Sequence, residues 1–85
     1  MNMKILYFAR LRQIIGRGQD DVALPPDIAD VRGLIAFLKA KDERIAEAFG
    51  DLRTLKVAIN QKHASLDAVL AGASEVAFFP PVTGG

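Results

Sequence analysis

The chain is 85 residues long, with 11 Lys or Arg against 10 Asp or Glu and a formal net charge of +1. That length makes one domain, and so even a charge balance gives no electrostatic case for nucleic acid or an anionic membrane. Cysteine is absent, which excludes disulfides, thiolate metal sites and a cysteine nucleophile, while a 51% hydrophobic content suffices for a core without such staples. Residues 3–8 form a mostly apolar run, read as a strand buried on both faces. Leu11, Ile14 and Ile15 follow at helical spacing, and Gly16 suits a helix stop. Gly16 to Gly18 read as a turn, after which residues 21–24 pair back as a second strand, ended by Pro25-Pro26.

The clearest helix starts at Asp30, a favourable N-cap residue. Val31, Leu34, Ile35 and Leu38 then fall at i, i+3, i+4 and i+7, one apolar stripe with Phe37 beside it. Gly33 in its first turn costs ~1 kcal/mol against alanine, and the sequence alone gives no reason for it. Asp42 caps a short second helical stretch through Ile45 and Phe49, stopped by Gly50. Leu55, Val57 and Ile59 alternate with polar or small residues, the period of a strand with one buried face. Asn60-Gln61-Lys62-His63 reads as a turn, and Gly72 marks another before a last strand over residues 75–79. The order is hairpin, long helix, further strands: an α+β arrangement with the helix packed across one sheet face. The longest apolar runs fall far short of the ~20 residues of a membrane span. The start lacks a secretory signal pattern, so a cytoplasmic location is the expectation.

No catalytic constellation stands out in the body. There is one histidine, and Ser65 and Ser74 have no base nearby in sequence. Asp20-Asp21 read as solvated turn charges, because adjacent strand residues point to opposite faces and do not converge for acid–base work. Gly16-Arg17-Gly18 lacks the rest of either nucleotide-binding spacing and reads as turn chemistry. No metal site is expected.

The ending carries the most information: Phe78-Phe79-Pro80-Pro81-Val82-Thr83-Gly84-Gly85. Pro80-Pro81 fixes φ near −65° and favours an extended exit. Six residues from Pro80 onward reach up to roughly 20 Å, at ~3.3–3.6 Å each. The division is therefore a body over residues 1–79 and an extended tail over 80–85. Glycines let a narrow channel close around such a tail, and the group at its tip is the Gly85 carboxylate.

This ending, with Leu6-Tyr7-Phe8-Ala9-Arg10-Leu11-Arg12 and Val57-Ala58-Ile59-Asn60-Gln61, resembles the small, sulfur-carrying subunit family of molybdopterin synthase. The resemblance spans nearly the whole chain, and the residues from Glu75 to Gly85 are its most specific part. It implies a ubiquitin-like β-grasp fold, with a mixed sheet and one main helix across it; the strand order rests on the resemblance. It further implies that a partner enzyme uses ATP to adenylate Gly85, after which sulfur gives a thiocarboxylate. The second implied partner is the large catalytic subunit, joined in a heterotetramer, where sulfur passes to cyclic pyranopterin monophosphate. On this reading the chain binds no cofactor and is not catalytic alone. Pro81, Val82, Thr83 and Gly84 would thread the partner's pocket, and Phe8, His63 and Phe79 would form the docking patch. Alternation agrees: if Tyr7 and Phe78 face the helix, Phe8 and Phe79 face outward. His63 stands where the family usually has an apolar residue, so it is either an exposed turn residue or a partner contact with an apolar ring body and polar tip. A carrier for thiamine or tRNA thiolation, or a ubiquitin-like protein modifier, would share the Gly-Gly ending.

Overall fold

A computed structural model describes residues 2–50 and 52–81. In chain order the elements are β1 (Asn2–Tyr7), α1 (Arg10–Ile15), β2 (Gln19–Ala23), α2 (Val31–Lys41), α3 (Glu43–Phe49), β3 (Lys56–Ile59), β4 (Lys62–Ala64) and β5 (Glu75–Phe79). The strands form one five-stranded sheet in the order β2-β1-β5-β3-β4. β1 and β5 run parallel at its centre, and the β1–β2, β3–β4 and β3–β5 pairs are antiparallel. A mixed sheet with α2 against one face is the β-grasp arrangement.

Apolar spacing builds the core. Val31, Leu34, Ile35 and Leu38 of α2 are all buried, and they meet Met3, Ile5, Tyr7, Val57, Val76 and Phe78 of the sheet. Burying each large aliphatic side chain contributes about 1.5–3 kcal/mol. Phe49 of α3 closes one end, its ring 4.7 Å from that of Phe78 and 6.3 Å from that of Tyr7.

The helix ends follow the expected chemistry. Asp30 has extended backbone, and its Oδ1 accepts from the Gly33 amide at 2.8 Å. That bond explains Gly33: an added Cβ would lie 3.2 Å from Asp30 Oδ1 and 3.4 Å from Ile28 Cγ2. The cap and a methyl group compete for one space. Asp42 caps α3 by accepting from the Arg44 amide at 2.8 Å, and Gly16 ends α1 at φ 88°.

Three expectations are corrected. β1 is buried on one face only: Met3, Ile5 and Tyr7 are covered, whereas Lys4 is exposed and Leu6 half-buried. A central strand here does not need two covered faces because helices occupy one side alone. The turn is shorter than four residues: Asn60 and Gln61, at φ 49° and 71°, make a two-residue hairpin turn, and Lys62 and His63 belong to β4. Both positive φ values match the turn that suits strand twist. Asp20 is no solvated turn charge. It lies in β2, which starts at Gln19, and Tyr7 donates its O–H to Asp20 Oδ2 at 2.8 Å.

Candidate functional site

Strand parity sorts the aromatic residues. Tyr7 and Phe78 are register partners facing α2, so the next residues along, Phe8 and Phe79, face the other side. The Phe8 amide donates to the Phe78 carbonyl at 3.2 Å, which continues the ladder past the end of β1. The two rings stack at 4.8 Å with planes 7° apart. An aromatic pair of this kind adds about 0.5–1.5 kcal/mol beyond its burial. Phe8 remains 41% exposed and Phe79 half-buried.

His63 joins them from β4, its ring 6.3 Å from that of Phe79. A row of small and apolar residues supports this cluster. Leu6 pairs with Ala77, Ala77 with Ala58, and Ala58 with His63, across four adjacent strands. Ala58 and Ala77 are buried yet lie outside the main core cluster. The three residues expected at a docking patch thus share one sheet face, uncovered by any of the described helices.

The joint beneath Phe8 is strained. Ala9 has φ 54° and ψ −129°, and the Leu11 amide donates to the Phe8 carbonyl at 3.2 Å across it. This is a tight turn with alanine where glycine is favoured, a conformation costing of order 1–3 kcal/mol. No sequence signal marks it, because alanine is not a turn residue.

Pro80 and Pro81 leave β5 half-buried. They line a groove of about 160 Å³ whose other walls include Arg10, Leu11 and Ile14 of α1 and Phe49 of α3. Pro80 and Pro81 thus continue directly from the strand that carries Phe79. Val82, Thr83, Gly84 and Gly85, expected to carry the pocket-threading and the chemistry, lie outside the described residues.

Elsewhere the charged groups serve the fold. Arg17 donates to Asp20 through Nε at 2.7 Å and Nη2 at 2.8 Å, and Nη2 also meets Asp42 at 2.9 Å. This ties the β1–β2 hairpin to the α2–α3 junction. The Arg17 hydrogen bonds hold Asp20 below its ordinary carboxylate range, with help from the Tyr7 hydroxyl and against partial burial. Burial foremost, then the hydrogen bond to Asp20, pushes the Tyr7 hydroxyl up. The Arg44 amide and then Arg17 hold Asp42 low. Among the described residues no group of His, Asp and Glu side chains could hold a metal ion. No described helix is long and apolar enough to cross a membrane.

The family model described as the ThiS family matches residues 5–85. The chain belongs to the ThiS family. Among its relatives, the molybdopterin synthase sulfur carrier subunit of Escherichia coli (strain K12) is 41% identical over 83 residues, covering 98% of this chain and 99% of that protein. The crystal structure of SAMP1 from Haloferax volcanii is similar with a TM-score of 0.78 and 29% identity, over 100% of both chains. A complex of subunits 1 and 2 of the molybdopterin-converting factor from Helicobacter pylori 26695 contains a chain with TM-score 0.64, 22% identical over 100% of both; that likeness shows the fold alone. The ubiquitin-like β-grasp fold expected of a ThiS-family chain is the one observed.

Proposed function

We propose that this protein is a sulfur carrier in molybdenum cofactor biosynthesis, working as the small subunit of molybdopterin synthase. The observation that carries the reading is the full-length, 41% identity to the Escherichia coli sulfur carrier subunit. The geometry fits it. An aromatic face left open by the described helices offers a docking surface, and the Pro80-Pro81 pair that follows it favours an extended exit. No group of His, Asp and Glu side chains among the described residues could hold a metal ion.

Chemistry then belongs to the tip. A carboxylate resists nucleophilic attack because its charge and resonance oppose it. An ATP-using activating enzyme would adenylate Gly85, releasing pyrophosphate and turning one carboxylate oxygen into part of an AMP leaving group. Sulfide-level sulfur from a donor attacks the acyl carbon, displaces AMP and leaves a thiocarboxylate, a nucleophile at neutral pH that needs no cysteine. Docked through Phe8, Phe79 and His63, with Pro81, Val82, Thr83 and Gly84 threading the large subunit's pocket, the carrier delivers sulfur to cyclic pyranopterin monophosphate. ATP is consumed by the partner, and no cofactor resides in this chain. A cytoplasmic setting goes with this role.

Whole-protein mass spectrometry tests the proposal. After incubation with the activating enzyme, ATP and a sulfur donor, the mass should rise by the exchange of one oxygen for sulfur, mapped to Gly85. A covalent adduct to the lysine of another protein, with no sulfur gained, would contradict it and make the chain a modifier.

A further inference from the structure

Charge is distributed unevenly between the outer sheet face and the surroundings of the tail root. Far from the tail, Lys4 sits in register between Asp21 of β2 and Glu75 of β5, so signs alternate and the field is largely cancelled. Near the tail the pattern changes. Lys56 is the register partner of Phe79 on the β3 side, and Arg10 shares a groove with Pro80 and Pro81 on the α1 side. Both are exposed, and neither belongs to an ion pair among the described residues. Glu47 lines Arg10's groove but makes no ion pair with it. Arg12 is turned elsewhere: its guanidinium group packs over Gly18, where a Cβ would lie 3.2 Å from Nε.

We propose that Arg10 and Lys56 form a basic collar around the tail root that docks against acidic side chains at the mouth of the partner's tail pocket. The proposal rests on the docking role assigned above to the aromatic face and names the chemistry of the surface that meets it. A partner covering Phe79 also covers its neighbours. Two cations that face a partner without a counter-charge oppose the encounter, so the surface that meets them is acidic. Exposed pairs of this kind contribute little affinity. Their effect is on the association rate and on the orientation of the encounter. The tip carries the opposite sign, a carboxylate or thiocarboxylate, and must enter a deeper region that welcomes an anion. A cationic root and an anionic tip give the tail a polarity that selects the productive approach.

Stopped-flow association with the large synthase subunit tests this, comparing wild type, the Arg10→Glu/Lys56→Glu double variant and Phe79→Ser. All should keep a cooperative melt; should the reversals disturb folding, Arg10→Gln/Lys56→Gln replaces them. At low ionic strength the charge variant should associate at least about tenfold more slowly. The gap should close near 1 M salt, where the screening length falls to ~3 Å. Phe79→Ser should instead dissociate faster at every salt concentration. A charge variant that associates as fast as wild type at low salt, while Phe79→Ser binds poorly, overturns the collar alone. Normal binding by Phe79→Ser with slow association of the charge variant removes the aromatic docking face and leaves the collar standing.

Discussion

Asn60 does two jobs at one position. Its φ of 49° supplies half of the β3–β4 turn, a conformation asparagine tolerates better than most residues. Its Oδ1 accepts from the Ser74 amide at 2.9 Å, the Ser74 hydroxyl at 3.1 Å and the Glu75 amide at 3.1 Å. Its Nδ2 donates to the Gly72 carbonyl at 3.3 Å. The side chain thus pins the entry of β5 to the turn. Asn60→Gly keeps the backbone freedom and loses the bonds, and should cost ~1 kcal/mol; Asn60→Ala loses both and should cost about 2–3 kcal/mol. Urea titrations check the order, and equal losses would mean that the left-handed backbone carries no cost. The turn was legible from Asn60, whereas the clamp was not, because its partners lie 12 to 15 residues away. Asp20 was misread for a similar reason: its partner Tyr7 arrives through the β1–β2 register. Its depressed pKa gives a pH prediction. The unfolded chain binds the proton more tightly, near the ordinary value of 3.8, so the stabilisation is present above that pH and is lost as pH falls through the lower folded value. Asp20→Asn should lower the melting temperature at neutral pH and flatten its fall below about pH 4. An unchanged acid limb would show that Asp20 does not set it.

Among the elements, α2 was the most legible, since capping, stripe and length all agree. Leu34 has no measurable exposure, and no acidic or basic side chain shares its core cluster. Leu34→Asp places an unpaired charge there at a cost of several kcal/mol, comparable to the whole stability of a small domain. Loss of cooperative unfolding in a thermal melt is the expected result; a normal melt would show that α2 does not fill the grasp. α1 has six residues, too short to persist alone, and is held by the burial of Leu11 and Ile15. The strand face was readable in β3 from period-two alternation. In β1 the alternation was masked by Leu6, which is apolar but points outward to pair with Ala77. β4 escaped notice because three residues containing one apolar side chain carry no period. Strand order was illegible in principle: the central β1–β5 pair joins opposite ends of the chain, and periodicity is a local signal.

At the scale of the whole molecule, the proposed function makes the body a handle and the tail the tool. The radius of gyration is 11.9 Å, and six residues beyond Phe79 can span roughly 20 Å, so the tip can act deep inside another protein while the aromatic face stays at its surface. On the proposed function, that division accounts for an ending that was conspicuous in the sequence beside a body that gave no chemical clue. It also makes position along the tail decisive. Appending one residue after Gly85 moves the carboxylate by ~3.5 Å, and deleting Gly85 withdraws it by as much; a misplacement of ~1 Å can already cost 100-fold in a positioned reaction. Neither change alters a residue of the core or of the face carrying Phe8, His63 and Phe79. The most direct measurement is therefore molybdopterin formation by the large subunit supplied with each tail-length variant, its length verified by intact mass. The account predicts folded variants that still bind the large subunit and yield no molybdopterin. Near-normal product from a tail one residue longer or shorter would contradict it.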